Sequence, residues 1–118
     1  MLQNYKKLSL ELGGKNANII LEEAIATSIR SSFANQGEIC LCGSRIFVHE
    51  SIYKEFLAKF TDAAEKIVVG DPLDGATQMG AIVSKQHLEK IKSCIEIAKE
   101  EGGKLFFFTE AKTICLKF

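Results

Sequence analysis

The sequence has little of several features that would assign a protein to a special class. Among its 118 residues there is one proline and no tryptophan, and 15 basic residues balance 15 acidic ones. The resulting zero net charge excludes a general electrostatic attraction to nucleic acid or to an anionic membrane. No run approaches the roughly 18 apolar residues of a membrane span, and the start lacks the apolar core of a secretory signal. These absences predict a cytoplasmic protein with no nucleic-acid or membrane partner.

Cysteine is present but in a pattern that indicates free thiols. The four positions are Cys40, Cys42, Cys94 and Cys115. Without a secretory signal they are expected to be reduced rather than to form a disulfide framework. Cys40 and Cys42 form C-x-C, which lacks the C-x2-C spacing of zinc ribbons and redox thiols, and neither His49 nor His87 completes a zinc-like pattern. No metal site is predicted, and a thiol redox protein stays open as an alternative.

Short apolar runs alternate with segments of helical periodicity. Strands are predicted at 8–12, 17–21, 44–48 and 105–108. Helices are predicted at 22–35, from a Ser51 cap to about residue 67, and from Ser84 to the Gly102-Gly103 pair, with a turn-rich loop at 70–75. Strands that alternate with helices of about ten or more residues indicate an α/β fold with a largely parallel sheet.

The segment 33–45 carries the first candidate for chemistry. It places Cys40 among small and polar residues between a helix and a strand, where a side chain can reach a cleft. The alternative is a buried structural thiol, because free cysteine is among the most buried residue types. The Gly13-Gly14-Lys15 sequence is no phosphate-binding loop, since it lacks the earlier glycine and the Ser or Thr after lysine, and no G-x-G-x-x-G is present.

Two segments together point to a known family. They are LELGGKN at 10–16 and NQGEIC at 35–40, the latter followed by Gly-Ser-Arg at 43–45. This pair resembles the aldehyde dehydrogenase superfamily, and the wording of residues 31–48 is most similar to a branch that oxidises a semialdehyde. The resemblance implies an α/β fold, an incomplete part of the family's three-layer catalytic domain. It covers residues 1–105 as a partial catalytic region and leaves 106–118 as an unmatched C-terminal tail.

The resemblance assigns catalytic roles to two residues. It implies that Cys40 is the nucleophile and Glu11 the general base. A thiolate that attacks an aldehyde carbonyl gives a thiohemiacetal, and loss of hydride to a nicotinamide leaves a thioester on the enzyme. A carboxylate beside the thioester can deprotonate the water that hydrolyses it. The backbone N–H of Cys40 is implied as one donor to the tetrahedral oxyanion.

The same resemblance implies NAD or NADP as cofactor. Leu12 and Gly13 are then expected beside the nicotinamide, and His87 and Lys90 on the helix that approaches the cofactor ribose. A plain strand exit at Leu12 and Gly13, and a solvated helix face at His87 and Lys90, are the structural alternatives. The implied partners are an aldehyde substrate and either further copies of the chain or full-length subunits.

The length of the chain leaves a second function open. Family members run to several hundred residues, with a cofactor domain before the glutamate, and 118 residues hold at most one core. One hypothesis is therefore an aldehyde-oxidising enzyme that uses Cys40 and Glu11. The other is a non-catalytic truncated fragment, inactive alone or associated with full-length subunits. Aldehyde-dependent reduction of NAD by the isolated chain distinguishes them, and no turnover is predicted.

Overall fold

The computed structural model describes residues 13–22 and 24–104. In chain order the elements are β1 (Ala17–Ile20), α1 (Ile25–Phe33), a 3₁₀ turn (Ala34–Gly37), β2 (Arg45–Val48), a second 3₁₀ turn (Glu50–Ile52), α2 (Tyr53–Glu65) and α3 (Lys85–Glu100). The strands predicted at 8–12 and 105–108 lie outside the described residues. None of the helices in the described part is long and apolar enough to cross a membrane.

The two described strands pair in parallel, with α1 on the connection between them. Ala17 lies opposite Arg45 and Ile20 opposite Val48, and the sheet order is β1-β2. Parallel neighbours need a crossover connection, usually a helix, and α1 supplies it. The prediction of an α/β fold with parallel pairing is confirmed.

The two faces of this sheet differ in burial. Ile20 is buried on the face toward the helices. Ile19 and Phe47, which lie opposite each other in the register, are 70% and 55% exposed. Parallel sheets are normally covered on both faces, so this apolar face lacks a cover within the part of the chain that the structure describes.

The core lies where α1, α2 and the sheet meet. Its buried apolar residues are Ile20 of β1 and Phe56 and Ala64 of α2, and Leu88 is buried on α3. The Phe60 ring contacts Phe33 of α1 and Phe56 of its own helix, with ring centroids 5.9 and 5.5 Å apart. The fully buried hydroxyl of Ser28 accepts a hydrogen bond from the Asn18 amide at 3.5 Å. Helix α1 is shorter than the predicted 22–35, because the backbone leaves the helical conformation after Phe33.

The prediction that Ser51 caps the helix after β2 is wrong. Ser51 lies inside the 3₁₀ turn that precedes α2, and the capping residue is His49. The Nδ1 atom of His49 accepts the backbone N–H of Ser51 at 3.3 Å and lies 2.8 Å from the Ser51 hydroxyl. An imidazole nitrogen thus caps the 3₁₀ turn, while α2 itself follows Ile52 without a side-chain cap.

The loop at 70–75 is confirmed as turn-rich. Asp71 and Asp74 each accept a backbone N–H two residues ahead, from Leu73 and Ala76, at 2.9 Å. Such Asx turns are the reason why aspartate is frequent in loops. The loop returns the chain so that Val69 and Met79 form an isolated parallel bridge.

Helix α3 begins and ends at the predicted signals. The Ser84 hydroxyl accepts the His87 N–H at 3.1 Å. At the other end Gly102 has φ 86°, its N–H donates to Lys99 O, and Gly103 N–H donates to Ala98 O. These two bonds form a Schellman motif, which requires a residue in the left-handed region.

Ser84→Ala is expected to reduce the free energy of unfolding by about 1 kcal/mol, because a helix N–H loses its cap. Urea denaturation followed by circular dichroism measures the change. Ser93→Ala is the matched control, since its hydroxyl only bonds the Lys90 carbonyl within the same helix. That variant is expected to be neutral or slightly stabilising. Equal losses in both variants would contradict the capping role of Ser84.

Candidate active site

Cys40 lies in an exposed turn between the first 3₁₀ turn and β2. The turn runs from Ile39 to Cys42, whose N–H donates to the Ile39 carbonyl at 2.9 Å. The exposure of Cys40 contradicts the alternative of a buried structural thiol. The predicted nucleophile is therefore accessible to solvent in the described part of the chain.

The backbone just before this turn is unusual. Asn35, Gln36 and Gly37 have φ values of 48°, 58° and 78°, three consecutive residues in the left-handed region. This conformation is costly for a residue with a long side chain such as glutamine, and it persists where surrounding contacts hold it. The Gln36 amide donates to the carbonyl of Ala81 at 3.1 Å, which supplies one such contact.

The two sequence segments that indicated a family are in contact. The Asn16 side-chain amide donates to the carbonyl oxygens of Cys40, at 2.8 Å, and of Cys42, at 3.3 Å. A Cβ placed on Gly14 would lie only 3.1 Å from the Cys40 carbonyl oxygen. Glu11 and Leu12 lie outside the described residues, so the structure gives no distance from the predicted base to the thiol.

The residues after Cys40 tie the turn to α1. Gly43 is buried, and its N–H donates to both the carbonyl and the hydroxyl oxygen of Ser31, at 2.9 and 3.2 Å. The Ser32 hydroxyl donates to the Gly43 carbonyl at 3.3 Å. A Cβ on Gly43 would come within 2.6 Å of the Ser31 hydroxyl, so a glycine allows this close approach.

The other described cysteines have different surroundings. Cys42 is half-buried, and its sulfur lies 3.8 Å from the Ala34 carbonyl oxygen. Cys94 is exposed on α3. Cys42 and Cys94 are both free thiols. Cys115 lies outside the described residues.

The predicted cofactor residues are only partly brought together. Gly13 is exposed with φ 28°, beside the Gly14 that approaches Cys40. His87, near the start of α3, contacts the Cys40 segment instead of pointing only to solvent: its Nε2 lies 3.2 Å from a carboxylate oxygen of Glu38. Lys90 is exposed on the next turn of α3. The roles of Leu12, Gly13, His87 and Lys90 toward a cofactor stay predictions.

Gly13, where the nicotinamide is predicted to lie, has no side chain. A Cβ on Gly13 would meet no atom of the described residues within 4 Å, which leaves an open surface free of side chains. The cavity lined by Ile25, Ile52, Glu55, Phe56 and Lys59 has a volume of about 70 Å³, whereas ligand pockets measure roughly 300–1,000 Å³. That cavity is too small for a dinucleotide, so it does not bind the adenosine end of a cofactor.

The electrostatics of the described residues give no indication of a metal. No group of three or more His, Cys, Asp or Glu residues in the described ranges could hold an ion. One group of α2, the Glu55 carboxyl, has a changed pKa. There a hydrogen bond from Lys59, together with its positive charge, holds the pKa of the Glu55 carboxyl below its usual value.

The fold and the site together define a parallel α/β unit in which an exposed thiol lies against a glycine-containing turn. The aldehyde dehydrogenase family model matches residues 1–113 of the chain. The chain belongs to the aldehyde dehydrogenase family. The family predicted from the LELGGKN and NQGEIC segments is thereby confirmed.

Curated relatives of high identity support the predicted branch. The chain is 58% identical over 105 residues to 2-aminomuconic semialdehyde dehydrogenase of Bos taurus, covering 85% of this chain and 22% of that protein. It is 56% identical over 106 residues to the Homo sapiens protein of the same name, covering 86% and 22%. The chain therefore spans about a fifth of the length of these relatives.

A solved structure agrees with the fold. Betaine aldehyde dehydrogenase from Staphylococcus aureus, crystallised in complex with NAD+, matches with a TM-score of 0.80 and 36% identity. The match covers 88% of this chain and 22% of that one. NAD+ in that complex agrees with the nicotinamide cofactor predicted for the family.

Sequence reasoning missed Asn16, although it lies inside the LELGGKN segment. Its side-chain amide joins that segment to a turn 24 residues further along the chain. An asparagine directly after Gly-Gly-Lys was a usable signal, because asparagine side chains readily bond backbone groups. The contact between His87 and Glu38 had no comparable signal in the sequence.

Proposed function

We propose that this chain carries the nucleophile and the general base of an NAD(P)-dependent aldehyde-oxidising site, with Cys40 as nucleophile and Glu11 as base. The observation that carries the proposal is the contact between the two segments: the Asn16 amide bonds the Cys40 carbonyl, and Asn16 follows Glu11 by five residues. Residues of the glutamate segment thus lie beside the cysteine turn. Membership in the aldehyde dehydrogenase family supports the same reaction.

The first chemical step belongs to Cys40. Its thiolate attacks the aldehyde carbonyl carbon, a C–S bond forms, and the carbonyl oxygen becomes the oxyanion of a thiohemiacetal. The backbone N–H of Cys40 donates to this oxyanion. The exposure of the residue supports access for the substrate.

The second step belongs to Glu11. A bound NAD(P) supplies the hydride acceptor through which the adduct becomes a thioester. Glu11 then takes a proton from water, the resulting hydroxide attacks the thioester carbon, and the Cys40 thiolate leaves with the C–S electrons. The carboxylic acid is the product, and the thiolate is restored.

Binding of the cofactor involves only a few residues of this chain. Leu12 and Gly13 adjoin the nicotinamide, and the open surface at Gly13 supports this. His87 and Lys90 contribute from the first turns of α3.

The substrate is a semialdehyde, as the names of the 2-aminomuconic semialdehyde relatives suggest. Reduced thiols favour a cytoplasmic compartment.

A second candidate function is a non-catalytic chain that associates with longer subunits or with further copies of itself. The observation that favours it is the apolar sheet face at Ile19 and Phe47, which lacks a cover in the described residues. A partner strand or helix would bury that face. Aldehyde-dependent reduction of NAD by the isolated chain separates the two functions, and the second requires that none is observed.

Native alkylation with iodoacetamide tests the site itself. Mass spectrometry follows each of the four cysteines with and without denaturant. Cys40 is expected to react about tenfold faster than Cys42, Cys94 or Cys115 in the native chain, because its surroundings differ, and this preference is expected to vanish on unfolding. Equal rates for all four cysteines under native conditions would overturn the proposed site.

A further inference from the structure

We propose that Asn16 is a positioning residue that fixes the Cys40 turn, and so the direction of the thiol, through its side-chain amide. The inference rests on the proposed function of Cys40. Its basis is geometric: one amide nitrogen bonds two carbonyl oxygens, those of Cys40 at 2.8 Å and Cys42 at 3.3 Å. An amide NH₂ has two hydrogens, one for each carbonyl.

These two bonds fix the backbone on the C-terminal side of the nucleophile. The direction of the Cys40 carbonyl sets the ψ angle of the residue, and with it the orientation of Cβ relative to the rest of the turn. Two carbonyl oxygens that approach one donor also repel each other when that donor is removed. Without the Asn16 amide, the turn is no longer held with Cys40 in one orientation.

Asn16 is itself held in place by the sheet. Its carbonyl oxygen accepts the Arg45 N–H at 3.2 Å, which continues the ladder between β1 and β2. The Arg45 guanidinium donates to the Lys15 carbonyl at 2.9 Å. The amide therefore projects from a backbone whose two successive carbonyls at Lys15 and Asn16 both bond Arg45, and it can transmit the position of the sheet to the thiol.

Asn16→Ala and Asn16→Asp test the inference against a matched control. Aspartate keeps the size of asparagine but replaces the NH₂ donor by an oxygen that repels both carbonyls. Asn18→Ala is the control, because Asn18 lies two residues further along, in β1, and its amide bonds the Ser28 hydroxyl instead of a carbonyl of the cysteine turn. The readout is the alkylation rate of Cys40 divided by that of Cys94 in the folded chain.

The rate ratio is expected to fall about tenfold in Asn16→Ala and at least as far in Asn16→Asp, and to stay at the wild-type value in Asn18→Ala. The pH profile adds a readout that lost stability alone does not move. Asn16→Asp is expected to shift the midpoint of the Cys40 profile upward, since a carboxylate beside a thiol disfavours the thiolate. Wild-type ratios in both folded Asn16 variants would overturn the inference.

Gly14→Ala disturbs the same contact without removing Asn16. The added Cβ would lie 3.0 Å from the Asn16 amide atoms and 3.1 Å from the Cys40 carbonyl, so the amide must move. If the Asn16 variants fail to fold by circular dichroism, this variant decides: a lowered ratio supports the inference and an unchanged one overturns it. Equal native rates for all cysteines in the wild type would instead refute the proposed function.

Discussion

Replacing Cys40 with alanine is expected to abolish acyl transfer from p-nitrophenyl acetate to the chain. This ester tests the nucleophile without any cofactor, because attack by the thiolate releases p-nitrophenolate and leaves an acetyl thioester. The wild-type chain is expected to show a burst of p-nitrophenolate followed by slower turnover. Absorbance of the released phenolate gives the burst amplitude, and mass spectrometry gives the acetylated residue.

Two thiols of the same chain provide the controls. Cys42→Ala and Cys94→Ala remove a half-buried thiol near the turn and an exposed thiol on α3, and both are expected to keep the burst. Glu11→Gln is expected to keep the burst but to slow hydrolysis of the thioester by about a hundredfold, the usual contribution of a general base. A full burst in Cys40→Ala would refute the assignment of the nucleophile.

Gly37→Ala is expected to reduce the free energy of unfolding by about 1–3 kcal/mol, and to abolish the preferential alkylation of Cys40. Gly37 has φ 78°, where a side chain is strained, and a Cβ there would lie 3.0 Å from the Ser32 carbonyl oxygen. A carbonyl oxygen in a helix cannot yield as a flexible side chain can. Urea denaturation and the alkylation ratio measure the two effects.

Gly75→Ala is the matched control for this variant. A Cβ at Gly75 would meet no atom of the described residues within 4 Å, and its backbone lies outside the left-handed region. Alanine there is expected to be neutral or to stabilise by about 0.4–1 kcal/mol, because it restricts the unfolded chain. Equal stability of the Gly37 and Gly75 variants would contradict the strain argued for the segment before Cys40.

The sequence was most informative where local chemistry decides the structure. Helix α3 starts after Ser84 because the Ser84 hydroxyl caps it, and it ends before Gly102 because that residue has a positive φ. Both ends were predicted. The helix before Cys40 was predicted too long at both ends, because residues 22–24 and 34–35 have a helical composition although the apolar spacing runs only from Ile25 to Phe33. The backbone leaves the helical conformation at Ala34, where ψ is 134°, and Asn35 and Gln36 follow in the left-handed region. One contact that holds Gln36 there is its bond to Ala81, far along the chain.

The site was predictable in its residue types but not in its geometry. Cys40 and Glu11 were proposed because their neighbouring residues resemble a family, whereas the partner of the Asn16 amide, a carbonyl 24 residues further along, could not be predicted from the local sequence. The same holds for His87: its helical position was predicted, but its approach to Glu38 follows from how α3 packs. The cap before α2 was also not decided by the sequence. Both His49 and Ser51 can supply a hydrogen-bond acceptor, and the structure uses His49.

The bond between Asn16 and Cys40 spans 24 residues, and this separation has a consequence for the order of folding. The loop between these residues closes only when β1 and β2 pair across α1. The Cys40 turn therefore gains its hydrogen bond from Asn16 late in folding, after the conformational entropy of the intervening chain has been lost. A newly made or unfolded chain therefore carries Cys40 as an ordinary thiol. On the proposed function of Cys40, reactivity toward electrophiles is expected to arise only with the native sheet, so that the thiol is not modified before the chain has folded.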